Sequence, residues 1–289
     1  MQEKESCLKK YNELAFGLSE ETTKRYSTSF YSASRFFHPE IRQAIHSIYG
    51  FVRLADEIVD SFHSFDKKAL LDKFEEDYFL AYNSGISLNP ILHSFQITVR
   101  KYNIPKEDIE NFLSSMRADL DKKEYKTDAE IKNYIYGSAD VVGLMCLKIF
   151  CQNDEELFKK LYDPAMRLGS AFQKVNFLRD LRDDVLSLGR IYFPDFNIER
   201  FDEETKYKFI KEIEEDFLEA NKGIRNLPDS SQLAVIIAYK YYLRLLNNIK
   251  HTPANKIIEE RIRVSDFNKV LLLSSTIIKY KIKRIFIKR

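Results

Sequence analysis

Residues 39–63 read PEIRQAIHSIYGFVRLADEIVDSFH. Apolar side chains recur at Ile41, Ile45, Ile48, Val52, Ala55, Ile58 and Val59, the spacing of one face of an α-helix. Pro39 followed by Glu40 makes a good helix start, because proline has no N–H to leave unsatisfied in the first turn. The same periodicity returns over roughly 66–82, 90–102, 106–120, 128–151, 155–187, 203–222, 229–249 and 254–287. Breaks are expected at Asn83-Ser84-Gly85, Asn103 to Pro105, Gly189 and Asn226 to Pro228. A break or kink is expected at Pro164, inside the 155–187 stretch. Residues 135–151, IYGSADVVGLMCLKIFC, are apolar almost all round, as befits a helix at the centre of an all-α domain. Residues 189–200, GRIYFPDFNIER, read as a loop.

The composition agrees. The chain has 289 residues with only 8 glycines and 7 prolines, too few for the tight turns of a sheet-rich fold. Apolar residues at 44% argue against disorder. Neither internal repeat nor linker is visible, so residues 1–289 are read as one domain. The glycines form neither a dinucleotide fingerprint nor a P-loop. Cys7, Cys146 and Cys151 form no C-x-x-C pair, so a reducing cytoplasm is expected. The start, MQEKESCLKKYNEL, is too charged for a signal peptide, and no uninterrupted apolar run nears the roughly 20 residues of a spanning helix.

Lys and Arg number 46 against 44 Asp and Glu, a net charge of +2 that gives no reason to expect nucleic-acid binding. That balance is a cancellation. Residues 269–289, KVLLLSSTIIKYKIKRIFIKR, carry seven basic and no acidic side chains, so residues 1–268 are net acidic. Two readings of this basic amphipathic tail stand side by side. One is an anchor on anionic lipid, which would place the protein peripherally at the inner face of the cell membrane. The other is a final helix whose basic end complements its own macrodipole.

Two Asp-x-x-x-Asp pairs stand out, Asp56/Asp60 and Asp180/Asp184. Among 20 aspartates chance yields about one such pair, so spacing alone decides little. Taken singly, each is a solvated helix face with Arg53, Arg179 or Arg182 as local partner. Together they are more informative. Residues i and i+4 share a helix face, like charges there repel, and both pairs lie beside strongly apolar faces. Inward carboxylates need a cation, and hard oxygen ligands without His or Cys suit Mg²⁺ shared with substrate phosphates. Two facing helices so equipped make a metal–diphosphate clamp, to which arginines add bidentate contacts. The histidines at 38, 46, 63, 93 and 251 show no metal spacing and are given no role.

At these residues the sequence resembles the squalene/phytoene synthase family. YSTSFYSASRFF (26–37) is similar to that family's amino-terminal signature. AIHSIYGFVRLADEIVD (44–60) and GSAFQKVNFLRDLRDDVLSLGRIYFP (169–194) resemble its two aspartate-rich helices. FLSSMRADLDKKEY (112–125), YIYGSADVVGLM (134–145) and ERIRVS (260–265) resemble further segments in the same order. The resemblance implies an all-α isoprenoid synthase fold, with helices surrounding a central cavity. It implies head-to-head coupling of two prenyl diphosphates through a cyclopropylcarbinyl diphosphate. By position, Asp56, Asp60, Asp180 and Asp184 would hold Mg²⁺ (Mn²⁺ in its place) and the diphosphates, with Asn176 as a further ligand. Arg53 and Arg179 would bind diphosphate, and Gln173 shares the inner face of the second helix. Tyr49, Tyr134, Tyr192 and Tyr242 match active-site tyrosines. Ser27 and Ser29 belong to a segment whose backbone would close over phosphate. Thr28 stands where some relatives place a lysine, which puts a cationic contact there in doubt.

By the same resemblance, small Ala33 and Ser34, where shorter-chain relatives tend to be bulkier, and the segment YGSADVVGLM imply two geranylgeranyl diphosphates, hence phytoene in carotenoid biosynthesis, with no NADPH. Squalene or dehydrosqualene synthesis from farnesyl diphosphate is the alternative. A terpene cyclase is disfavoured because Asn176-Phe-Leu-Arg-Asp180 lacks the cyclase metal triad. A non-enzymatic helical membrane scaffold is the distant alternative.

Overall fold

The computed structural model describes residues 2–192 and 201–287. In chain order its helices are α1 (Gln2–Tyr26), α2 (Thr28–Ser34), α3 (Pro39–Asp60), α4 (Lys67–Ser84), α5 (Pro90–Lys101), α6 (Lys106–Asp121), α7 (Asp128–Ile135), α8 (Val141–Cys151), α9 (Glu155–Asp183), α10 (Glu203–Ile224), α11 (Asp229–His251), α12 (Ala254–Glu259) and α13 (Asp266–Ile287). π-helical turns occupy Tyr136–Asp140, between α7 and α8, and Asp184–Leu188, after α9. Among the described residues β-structure is limited to one bridge, Glu124 to Ile191.

Local chemistry sets the ends. Asp66, Asp154 and Asp202 cap α4, α9 and α10 by accepting from backbone N–H groups three residues on. Asn89 caps α5 ahead of Pro90, and Gly85 closes α4 in the left-handed conformation. These ends fall within about two residues of those read from periodicity.

Three expectations are corrected. Of the break or kink expected at Pro164, the break is absent, since α9 runs through it. The proline ring is accommodated by Gly223 of α10, where an added Cβ would come within 2.3 Å of Pro164. The 128–151 stretch is interrupted by its π-turn. The 254–287 stretch splits, because residues 260–265 are non-helical. There Ile262 and Val264 are buried while Arg261 and Arg263 are exposed, the period-two alternation of extended chain. The loop read at 189–200 is non-helical from 189 to 192, and its remainder lies outside the described residues.

Two large apolar clusters build the interior, with a smaller third around Leu144, Leu147, Cys151 and Leu161. The first centres on Phe51, stacked on Phe95 with ring centres 3.9 Å apart and packed against Phe74, Tyr78 and Phe112. The second joins α7, α9, α10, α11 and α12 through residues such as Val175, Leu178, Phe217, Leu245 and Ile257. Leu168 and Tyr239 pack against both. Asp128–Cys151 is apolar and long enough to cross a membrane by composition, but its most apolar window is 67% buried inside the fold, as in a core helix.

Candidate active site

The face of α3 that carries Asp56 and Asp60 is reached by the segment that follows α9, through Arg190. Both aspartates are half-buried. Burial pushes the Asp56 carboxyl up to about 7, and Asp60 one turn away adds to the shift. Asp60 accepts a 2.7 Å bond from Nη1 of Arg190. The Arg53 guanidinium pairs with Glu57 rather than with either aspartate, and lies 4.5 Å from the centre of the Tyr26 ring. Its Nε is buried without a partner.

The second pair sits where α9 ends. Asp180 is held by Arg179 and by Nε of Arg261 at 2.6 Å. Asp184 opens the π-turn, and its carbonyl accepts from the Arg190 N–H at 2.8 Å. Gly189 reverses the chain with φ +64°, a conformation that side chains other than glycine rarely take. Burial pushes the Asp184 carboxyl up to about 8, with Asp180 and Asp60 adding to the shift. Arg190 therefore links the two pairs, its guanidinium on Asp60 of α3 and its N–H on the Asp184 carbonyl. Arg182, considered above as a local partner, is exposed.

Arg190 ties these parts together. Its side chain is only 8% exposed, and beyond Asp60 it donates from Nη2 to the Asp119 carbonyl at 3.0 Å. The Asp119 carboxylate accepts a 2.6 Å bond from the Tyr134 hydroxyl. Burial pushes Asp119 up to about 7 against the pull of Arg190 and Tyr134. Tyr134, Tyr125, Tyr192 and Phe177 form one aromatic group, with Phe177 and Tyr192 stacked at 4.2 Å. The bridge between Glu124 and Ile191 fixes the loop after α6 against the loop after α9.

One turn before Asp180, Tyr242 stacks on Phe172 at 3.9 Å and donates to Oδ1 of Asn176 at 3.3 Å. Asn176 and Gln173 are half-buried and precede Asp180 by four and seven residues, along one face of α9. Tyr49 stacks on Phe30 at 5.3 Å. Burial pushes its phenol up to about 12, against Arg53 and the Ser27 hydroxyl beside it. Ser27 caps α2 through the Phe30 N–H, and Ser29 is half-buried on that helix. Ser34 is fully buried and its hydroxyl lies 2.8 Å from Nε2 of His46. Its small size therefore serves the packing of α2 on α3, which removes the ground for reading it as added cavity depth.

All the sequence-derived residues thus lie on α2, α3, α7, α9, α11 and the segment after α9. Arg190, Asp119 and Arg261 escaped the sequence reading as site residues. Each lies in a stretch quoted above, but nothing in local spacing shows that an arginine after α9 reaches α3, or that one after α12 reaches α9.

Residues 23–268 match the squalene/phytoene synthase family. The chloroplastic phytoene synthase of an Oncidium hybrid cultivar is 29% identical over 269 residues, 86% of this chain and 64% of that protein. Chloroplastic phytoene synthase 2 of Solanum lycopersicum is 28% identical over 274 residues, 88% of this chain and 86% of that one. The chain therefore spans slightly less than two thirds of the Oncidium relative's length. A dehydrosqualene synthase crystallised in complex with ligand superposes with a TM-score of 0.80 at 22% identity, over 93% of this chain and 98% of that one. The squalene synthase HpnC of Alicyclobacillus acidocaldarius gives 0.71 at 24% identity, over 82% and 93%. The fold is the all-α isoprenoid synthase fold, and the chain belongs to the squalene/phytoene synthase family.

Proposed function

We propose that the chain is a Mg²⁺-dependent prenyltransferase of carotenoid biosynthesis that condenses two geranylgeranyl diphosphates head to head. Prephytoene diphosphate is the intermediate and phytoene the product. The observation that carries this reading is that Arg190 draws the Asp56/Asp60 and Asp180/Asp184 pairs together, its guanidinium on Asp60 and its N–H on the Asp184 carbonyl. Similarity to phytoene synthases over most of the chain supports the C40 product.

Among the described residues no group of three or more His, Cys, Asp or Glu side chains is placed to cage a metal ion. Each pair instead offers two carboxylates. That donor set fits Mg²⁺, which commonly takes one or two carboxylates and completes its shell with water and phosphate oxygens. Asp56 and Asp60 on one side, with Asn176, Asp180 and Asp184 on the other, would hold the ions, and Mn²⁺ would satisfy the same ligands. Bound there, Mg²⁺ would supply Lewis-acid neutralisation of the diphosphate leaving group.

The protein's own residues do the rest. Arg53 offers a buried, unpartnered Nε to a phosphate oxygen. Arg179, Gln173, Ser27 and Ser29 line the remaining approach. As the allylic C–O bond breaks, the cation forms among half-buried apolar and aromatic side chains, including Val52, Leu168, Phe172 and Tyr242. Their faces stabilise positive charge and their bulk keeps water away. The double bond of the second substrate attacks that cation, and loss of a proton from the adduct closes the cyclopropane ring. The resulting cyclopropylcarbinyl diphosphate ionises in turn, rearranges and ends by losing a proton, so no hydride donor is consumed. Tyr49, Tyr134 and Tyr192 would orient the chains and the departing diphosphate.

A second reading is squalene or dehydrosqualene from farnesyl diphosphate, because the small Ser34 is buried against His46 and so gives no support to a longer chain. Purified protein incubated with Mg²⁺ and either substrate, with and without NADPH, separates the two by product mass. Phytoene from geranylgeranyl diphosphate is expected. A C30 product alone, or a requirement for NADPH, would overturn the C40 reading.

A further inference from the structure

α13 carries a face that the fold leaves uncovered. Among its described side chains only Thr276 is buried. Leu272, Leu273, Ile277, Tyr280 and Arg284 are half-buried and form the side turned to the body, where α13 packs against α11. Arg284 pairs with Asp229 of α11 and pins the far end of the helix. On the opposite side Phe267, Leu271, Ile278, Ile282 and Ile285 are 77%, 57%, 57%, 48% and 61% exposed. Their spacing of four, seven, four and three residues puts them in one straight stripe along the helix.

Isolated exposed apolar residues are ordinary, but an aligned stripe of five marks a contact surface. Its margins are basic. Exposed Lys279 and Lys283 flank one edge and exposed Lys281 the other. No acidic residue occurs from Phe267 to the end of the sequence. A second copy of the chain laid on this face would add a further basic margin, with Asp266 the one acid of α13 to offset it. A surface of anionic headgroups over an apolar layer meets both features. Lysine stems would lie along the stripe and their ammonium groups would reach the phosphates.

We infer that α13 is an in-plane docking helix for an anionic lipid bilayer, its stripe from Phe267 to Ile285 seated among the acyl chains and Lys279, Lys281 and Lys283 at the headgroups. The inference stands apart from the identity of the product, since it uses no residue of the diphosphate site. The full chain is sedimented with vesicles of phosphatidylcholine alone and of phosphatidylcholine mixed with phosphatidylglycerol, at low and high salt. Wild type should bind the anionic vesicles at least about tenfold more tightly, with salt weakening the binding. The triple variant Leu271→Ser/Ile278→Ser/Ile282→Ser should lose about a hundredfold or more. The variant Lys279→Gln/Lys281→Gln/Lys283→Gln should also lose about a hundredfold, at roughly one headgroup attraction per lysine. All these side chains are exposed, so circular dichroism and the melting temperature should hold. Ile278→Glu alone repeats the test if the triple variant does not fold. Equal binding to both vesicle types, or stripe variants that bind as wild type does, would overturn the inference. So would stripe variants that turn an oligomer into a monomer by light scattering while vesicle binding is unchanged, since the stripe would then belong to a second copy.

Discussion

Asp184 carries the cost of the site. Its carboxyl is half-buried, and Asp180 and Asp60 both act on it unfavourably. Asp184→Asn keeps the shape and removes one of the crowded charges. Metal-free protein should gain about 1 kcal/mol, read as a higher melting temperature in chelator, while turnover should fall by about a thousandfold. A variant that melts below wild type in chelator, or that retains activity, would contradict the clamp. His46 makes a separate prediction, away from the carboxylates. It is 1% exposed, lies 2.8 Å from the Ser34 hydroxyl and stacks on Tyr31. Burial lowers its imidazole to about 4. The unfolded chain binds this proton below about pH 6.5, and the folded one only below about 4. Unfolding therefore takes up a proton between those values. Stability that is complete above pH 6.5 is lost as the pH falls towards 4, by roughly 3 kcal/mol from this group. His46→Gln should flatten that limb of a denaturation series taken from pH 7 to 4, and an unchanged slope would rule the group out.

At the scale of elements, the site depends on how α9 ends. The helix gives way to a π-turn at Asp184, Gly189 reverses the chain, and Arg190 reaches back to Asp60 on α3 and Asp119 on α6. Truncation by Arg190→Ala would strand a carboxylate and a carbonyl together, at about 3 kcal/mol, and reduce kcat as Asp60 shifts. Arg190→Lys should restore little of either, because one ammonium cannot serve two partners from a forked plane. Full rescue by lysine, measured by urea denaturation and turnover together, would show that charge alone suffices. The helices α3 and α9 and their aspartates were legible in the sequence because each obeys a local rule, a 3.6-residue period and a four-residue spacing. Arg190 and Arg261 were not, since each acts across a tertiary gap from non-helical chain. The split between α12 and α13 was missed for another reason. Ile262 and Val264 alternate with arginines, and that short period-two pattern is easily absorbed into a longer helical one.

Across the whole molecule, the two apolar clusters were foreshadowed by composition, but their division was not, because periodicity marks a face as buried without naming its partner. Their junction is tight. Gly169 of α9 lies against the π-turn between α7 and α8, where an added Cβ would sit 2.7 Å from the Ala139 carbonyl oxygen. Backbone stands on both sides, so Gly169→Ala should cost about 1–3 kcal/mol by forcing α9 away from its neighbour. Leu168, next to it, packs against both clusters, as does Tyr239 of α11. Loss of either cluster would strip apolar cover from these shared side chains and from α9, which carries Asp180. The two halves should therefore unfold together. Phe51→Ala in the first cluster and Phe217→Ala in the second each delete a ring that is at most 1% exposed, at about 3–5 kcal/mol. Each should lower the midpoint of one calorimetric transition whose van't Hoff and calorimetric enthalpies agree. A scan of Phe217→Ala that splits into two peaks, with only the lower one shifted, would show instead that α9 to α12 melt as a unit of their own.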